Sequence, residues 1–225
     1  MILKNYYAQK NFKKYDYFLL TILVIDIMFI LLTVIDGFFP GMNLDNFAVQ
    51  SDNTFAEKFQ YLKFIGIAII SFLLAIKSRT PNFLFFMVIP TYLYWDDSSQ
   101  LHERFGTKIA TFIHEGSPSD TLITNFAYKH IGEIFYMSFI SFILLIVFLI
   151  CYKISEASER YFLKKILKIF IIFGFFSIYV DAINPLFEGF IYKVLAVIED
   201  GGEMISISFL TAFCFRYLIK NVNII

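Results

Sequence analysis

The chain has 225 residues, 58% of them hydrophobic and 20% aromatic, and its nineteen basic and nineteen acidic residues cancel to no net charge. With a mean hydropathy of +0.68, it departs from soluble domains, whose apolar share is about 45–50%. Zero net charge gives no global electrostatic case for a nucleic-acid partner.

The N-terminus carries Lys4, Lys10, Lys13 and Lys14 ahead of an apolar run that continues through Phe39 with no small-residue cleavage site. That pattern predicts a retained first span and not a cleaved signal peptide. Spans are then expected at 17–38, 60–77, 82–104, 132–152, 166–187 and 203–219, each close to the ~20 residues that cross a ~30 Å hydrocarbon core. Pro90 in the third and Pro185 in the fifth predict kinks. Residues 189–198 are too short to cross and are expected to form an interfacial or re-entrant helix. The apolar stretches are hydrophobic all round, with no polar face to turn to water. The expected fold is all-α: one polytopic transmembrane helical bundle of about six spans covering 1–225.

Loop charges orient this bundle. With the N-terminus inside, the inner segments hold thirteen cations, among them Lys77, Arg79, Lys153, Lys168, Arg216 and Lys220, against Asp16, Glu156 and Glu159 alone. The outer segments hold fifteen carboxylates against six cations, Lys63 and Lys129 among them. By the excess of Lys and Arg on the cytoplasmic side, both termini are expected in the cytoplasm. Cys151 and Cys214 then fall where thiols stay reduced, and no CxxC pair is present. Residues 39–58 read as a polar hairpin connection without catalytic character. Residues 105–131 have room for a short amphipathic helix before the Gly116-Ser117-Pro118 turn, and His114 reads as a solvated loop histidine.

Helix rise converts sequence distance into depth. At 1.5 Å per residue, Asp26 stands about 18 Å above Lys14, Asp181 about 20 Å above Lys168 and Glu203 about 20 Å above Arg216. All three carboxylates therefore fall within hydrocarbon depth. Such groups are normally paired, protonated or turned to a polar cavity, because each costs roughly 2.5–3.5 kcal/mol on insertion scales. Either they bond to neighbouring helices or they build a site.

The segment Trp95-Asp96-Asp97-Ser98-Ser99-Gln100-Leu101-His102-Glu103-Arg104 is the richest in chemistry. On a continuous helix Asp96, Ser99, Gln100 and Glu103 share one face bordered by His102, which offers carboxylate oxygen and imidazole nitrogen for a divalent cation or a proton. The alternative is an ordinary polar helix end with Arg104 pairing Glu103 or Asp97. His130 and Glu133 stand at i, i+3 at the start of the fourth span, a spacing used in bundle metal sites but weakly specific. Asp181, Asn184 and Glu188 repeat at i, i+3 and i+7 on the fifth span. Glu199 and Glu203 share a face of the sixth, with Gly201-Gly202 between them allowing close helix approach or a bend. An internal echo links Asp96/Glu103 and Glu133 with Asp181/Glu188 and Glu203. The candidate metal set is Asp96, Asp97, His102, Glu103, His130, Glu133, Asp181, Glu199 and Glu203.

No GxSxG, Walker or HExxH motif is present, and no motif of intramembrane or ceramidase-like hydrolases. All three histidines lie near one edge, which disfavours paired axial haem ligation. The Asp96-Asp97-x3-Leu101-His102-Glu103 segment, with Gly132-Glu133 and Glu199-Asp200-Gly201-Gly202-Glu203-Met204, resembles a group of bacterial multi-pass membrane proteins with an acidic pair before Leu-His-Glu and a late acidic-Gly-Glu-Met motif. The resemblance covers roughly the second half of the chain. It implies a bacterial inner-membrane setting and names no reaction.

Three functions remain open from the residues alone: a divalent-metal or proton-dependent site at the outer face, hydrolytic or not; a cation transporter or channel lined by Asp26, Asp181 and Glu203; and a non-catalytic subunit or sensor. The expected partner is the lipid bilayer, with a second copy or a membrane-complex subunit left open, and the only cofactor the pattern suggests is a divalent metal cation.

Overall fold

The computed structural model describes residues 2–39, 44–49, 51, 53–114 and 122–221. It is all-helical, with no strand among the described residues. The helices are α1 (Ile2–Phe38), α2 (Phe55–Ser78), α3 (Pro81–Ser98), α4 (Leu101–His114), α5 (Leu122–Ile154), α6 (Ala157–Gly174) and α7 (Gly189–Asn221). Five stretches are long and apolar enough to cross a membrane: Tyr15–Gly37, Phe55–Ser78, Lys129–Ile154, Glu159–Leu186 and Gly189–Lys220. Large apolar side chains such as Leu31, Ile76, Phe135, Phe142 and Ile171 are exposed along them, as a lipid-facing surface requires and an aqueous one would not tolerate in such number. This is a helical membrane protein.

The chain forms two compact units, 1–90 with 164–225, and 91–163. In the first, α1 and α2 both pack on α7. Its interior is built from fully buried Phe64, Ile67, Met204, Ile207, Leu210 and Cys214. Thr54 caps α2 by accepting from the Glu57 amide at 3.2 Å, while Glu57 accepts from the Asn53 amide, so the two side chains satisfy orphan donors at both sides of the helix start. Cys151 and Cys214 are free and buried.

Three expectations change. The third span does not run to 104: α3 stops at Ser98, and Gln100 takes a left-handed conformation (φ 51°) with its amide bonded to the Asp97 carbonyl at 3.0 Å. The tightened turn ends one helix and starts another, so the expected Asp96–Glu103 stripe is not one helical face. Unlike the other expected spans, α3 is not among the five stretches long and apolar enough to cross a membrane. The segment 189–198 is not a separate interfacial or re-entrant helix but the first turns of α7, which is continuous through Gly201-Gly202. Those glycines serve close approach and not a bend. A Cβ at Gly202 would overlap the Phe176 ring, and one at Gly201 would press on Ile30 at 3.0 Å.

The fifth span is irregular at its end. α6 passes into a π-helical stretch at Phe175–Val180, a single α-turn at Asp181–Ile183 and a 3₁₀ turn at Asn184–Leu186 that contains Pro185. Proline lacks the amide that would continue the ladder. Phe187 is extended, and Gly189 begins α7 at φ +63°, where a side chain would be strained. The Gly116-Ser117-Pro118 turn and residues 40–43 of the polar connection lie outside the described residues, as does the His114 side chain.

In the second unit α4 and α5 pack closely. The contact is made backbone to backbone at Gly106 and Gly132, where a Cβ on Gly132 would lie 2.6 Å from the Gly106 carbonyl oxygen and 2.8 Å from its Cα. Backbone cannot give way as a flexible side chain can, so Gly132→Ala forces the helices apart and costs about 1–3 kcal/mol. Gly66, in the middle of α2, has open space around it, so Gly66→Ala gains about 0.5–1 kcal/mol from helix propensity. Thermal unfolding in detergent should show opposite shifts for the two alanines.

Candidate functional site

The first unit holds a polar centre that sequence reasoning finds only in part. Asp26 is 0% exposed and Lys63 4%. The Lys63 Nζ donates to Asp26 Oδ1 at 2.9 Å, to the Met204 carbonyl at 2.8 Å and to Ser208 Oγ at 3.1 Å. The Ser208 hydroxyl in turn donates to Asp26 Oδ2 at 2.5 Å. All three ammonium protons and both carboxylate oxygens thus have partners, which a buried ion pair requires to offset desolvation. The Phe59 ring lies 4.9 Å from the Lys63 nitrogen and adds a cation–π contact. Three spanning helices, α1, α2 and α7, each contribute one side chain to the centre.

The loop-charge reading counts Lys63 among the outer cations, whereas the structure buries it at depth. The signal lies in the same rise that places Asp26: Lys63 is fourteen residues from Lys77, about 21 Å along α2, close to the ~18 Å from Lys14 to Asp26. Glu203, one turn before Ile207 on α7, lies 3.4 Å from Gln60 Nε2 of α2. Asp181 and Glu199 interact electrostatically, and Asn184 Nδ2 donates to Glu199 Oε2 at 3.4 Å. Glu188, expected to share their face, is exposed in the break before α7.

The second unit gathers the other expected residues into two linked networks. Asp96 is 3% exposed. Its Oδ2 lies 3.0 Å from His102 Nδ1, and its Oδ1 accepts from the Tyr92 hydroxyl at 3.1 Å. Tyr92 is 3.1 Å from the Tyr136 hydroxyl, and Tyr136 stacks on Phe105 of α4 at 4.8 Å. The left-handed turn at Gln100 lies between the two members of the histidine contact. Asp97 is half-buried beside this network and acts on His102 through its charge. In the other network Lys129 bridges Glu103 at 2.8 Å and Glu133 at 3.4 Å, and His130 Nδ1 lies 3.0 Å from Glu133 Oε2. The His130/Glu133 pairing follows the expected i, i+3 spacing. The cation on Glu103 is Lys129, not Arg104. The Gly106–Gly132 contact is what brings these two helices within reach of each other's charges.

The two echoing segments share one feature: each helix ends between its Asp and its Glu, at Gln100 in one and after Leu186 in the other. Their acids are otherwise partnered differently: Lys129 bridges Glu103 and Glu133 in one, and Gln60 bonds Glu203 in the other. Among the described residues no group of three or more His, Cys, Asp or Glu side chains is spaced to hold a metal ion. Of the acids of the second unit, Glu103 and Glu133 pair with Lys129, and Asp96 and Glu133 with His102 and His130.

A family model described as a domain of unknown function, DUF8692, matches residues 18–217. The chain belongs to this family. No curated protein and no solved structure matches the DUF8692 chain. The match extends across all five apolar spans but for the first residues of one and the last of another, and includes both polar centres.

Two measurements test these centres. Removing one member of the Asp26–Lys63 pair leaves the other buried and unpaired at about 3–5 kcal/mol, while an apolar pair of similar volume restores much of that loss. Asp26→Leu and Lys63→Met should therefore each lower the unfolding temperature of the detergent-purified protein more than the double variant does. At His102, burial alone would lower the pKa, but the Asp96 hydrogen bond and the charges of Asp96, Asp97 and Glu103 outweigh it and raise the value above the ordinary 6.5. The pair's contribution is then fully present below about pH 6.5 and is lost as pH rises through the raised folded-state value. His102→Gln should flatten the fall of the unfolding temperature across that window, and an unchanged slope would remove His102 as its source.

Proposed function

We propose that this DUF8692 protein is a proton-translocating protein of the bacterial inner membrane, with the Asp26–Lys63–Ser208 centre as its proton-exchanging step. The observation that carries the reading is a fully enclosed carboxylate–ammonium pair held by three spanning helices. Charged groups at such depth are costly and mark ion and proton pathways in membrane bundles. A buried ion pair is a poor source of stability when an apolar pair would serve as well.

Polar side chains continue from the pair along the same helices. Gln60 and Glu203 lie toward one end, less than two turns from Lys63 and Ser208. Ser71 and Thr211, both buried, lie toward the other. Their hydroxyls donate to the carbonyls of Ile67 and Ile207 at 2.7 Å each, and a hydroxyl can rotate from such a bond to pass a proton on. These are the groups that would carry a proton to and from the pair in this reading.

In this reading α3, about 27 Å long at helical rise, is a sixth span. Both termini then share the basic, cytoplasmic side. The networks around Asp96 and Glu133 act as electrostatic locks on the α3–α4–α5 segment and not as a catalytic centre.

The test is proton flux into liposomes reconstituted with the full chain, read by an entrapped pH-sensitive dye, with valinomycin and potassium to balance charge. Wild-type protein should dissipate an imposed gradient faster than empty vesicles. Asp26→Asn should slow it by about tenfold or more, the range over which a positioned proton carrier acts. The folded double variant, Asp26→Leu with Lys63→Met, should abolish it. Wild-type flux equal to empty vesicles, or undiminished flux in the double variant, would overturn the proposal.

A further inference from the structure

A second polar site lies in the first unit, where the chain breaks between α6 and α7, and it does not rest on the proton reading. Asn184 is 6% exposed. Its carboxamide is turned to Glu199 through Nδ2, at a long 3.4 Å. On the same group the carbonyl oxygen Oδ1 is buried with no hydrogen-bond donor in reach. A buried amide oxygen left in that state is costly, and native structures rarely keep one without a ligand, an ion or water. Asp181 stands one turn before Asn184 on the same side of the chain, and its charge acts on Glu199. Asp181 and Glu199 thus repel each other, and the Asn184 amide that bonds Glu199 carries a buried carbonyl oxygen without a donor. Among the described residues, no Lys or Arg is bonded to Glu199 or Asn184 in the contacts the structure gives.

The backbone around them is equally unusual. The π-helical stretch at Phe175–Val180, the 3₁₀ turn at Asn184–Leu186 and the extended Phe187 interrupt the helical ladder within an apolar span. π-Helical turns concentrate at functional sites. Irregular backbone within a membrane segment is kept where protein encloses it or where it lines a polar cavity, and its released carbonyls are available to cations.

We propose that Asp181, Asn184 Oδ1 and Glu199 bind a hard divalent cation, Mg²⁺ or Ca²⁺. The donor set is oxygen only, with neither imidazole nor thiolate, which suits these ions and disfavours zinc and copper. Two carboxylates match the charge of a divalent ion, and the amide oxygen takes the place of a third acid. Three protein donors leave room for water, as Mg²⁺ in particular requires. A bound cation would remove the repulsion between Asp181 and Glu199, satisfy Oδ1 and fix the end of α6 against the start of α7.

The experiment is a Tb³⁺ titration of the detergent-purified full chain, read by luminescence sensitised by its tyrosines, with Ca²⁺ and Mg²⁺ as separate competitors. Wild-type protein should show saturable Tb³⁺ binding that one or both displace, and the more effective competitor identifies the ion. Asp181→Asn and Glu199→Gln should each weaken binding by about tenfold or more, and Asn184→Ala by a smaller factor, because affinity follows ligand number and charge. Asn184→Asp keeps an oxygen in place and adds charge, so it should bind at least as tightly as wild type, which guards against reading a folding defect as a lost ligand. His102→Ala, in the other unit, should bind normally. Absence of saturable Tb³⁺ luminescence in wild type, displacement by neither cation, unchanged binding in both carboxylate variants, or weaker binding by Asn184→Asp would each overturn the proposal. A pair that merely shares a proton would show pH-dependent stability without Tb³⁺ binding, and that result counts against the site.

Discussion

A charged pair sealed inside an apolar bundle can exist only if every proton and lone pair on it has a partner. In the first unit that requirement falls on Asp26 and Lys63, and it determines much of the arrangement around them. Lys63 needs three acceptors, and one of them is the carbonyl of Met204. The backbone of α7 must therefore come close to α2 at that level. Ser208 closes the ring by accepting from Lys63 and donating to Asp26, which fixes the rotation of α7 as well as its distance. Gly201 and Gly202, two turns earlier, allow the same helix to approach Ile30 of α1 and Phe176 of the π-helical stretch. Lipid offers no hydrophobic force to press helices together, so small residues and interhelical hydrogen bonds supply the specificity. Both devices meet on α7, the most enclosed of the five apolar stretches.

The second unit reaches its order by a different balance. Its long apolar helix, α5, is largely exposed along the membrane stretch, and the ion pairs of Lys129, His130 and Glu133 lie near its start. There the Gly106–Gly132 contact lets α4 and α5 approach backbone to backbone, the Lys129–Glu103 bridge crosses between them, and Lys129–Glu133 lies along α5 at i, i+4. The bridges are partly exposed and individually weak. Their value lies in neutralising acids such as Glu133, which is 7% exposed and would otherwise be an uncompensated buried charge.

Composition and periodicity make the helical membrane character legible, because apolar runs of about 20 residues have few other uses. They also place the C-terminal ends of α1, α2 and α5 to within two residues. Local backbone is harder to read. Nothing in Ser99-Gln100 announces a left-handed residue, since neither glycine nor asparagine occupies the position, and the stripe drawn from Asp96 to Glu103 assumes a helix that in fact turns there. The glycine pair at 201–202 admits two readings, and only packing against Phe176 and Ile30 decides between them. The acids are easy to find and their partners are not. Asp26 stands alone in its apolar run, whereas Lys63 reads as one of several outer cations, and Lys129 is hidden in what reads as a loop. Pairing is a property of three-dimensional neighbours, and helix depth is the one sequence-level quantity able to foresee it.

The Asp26–Lys63 contact also has a consequence for how the protein enters the membrane. An isolated α2 would carry an unshielded ammonium into hydrocarbon, and an isolated α1 a lone carboxylate, each against about 2.5–3.5 kcal/mol on insertion scales. Inserted together as a hairpin, the two helices present opposite charges at matching depth and cross as a nearly neutral unit. The serine that completes the centre is synthesised 145 residues after the lysine. For that interval the pair has two helices and an unfilled third side, so the nascent chain holds a provisional contact until its last span arrives to close it.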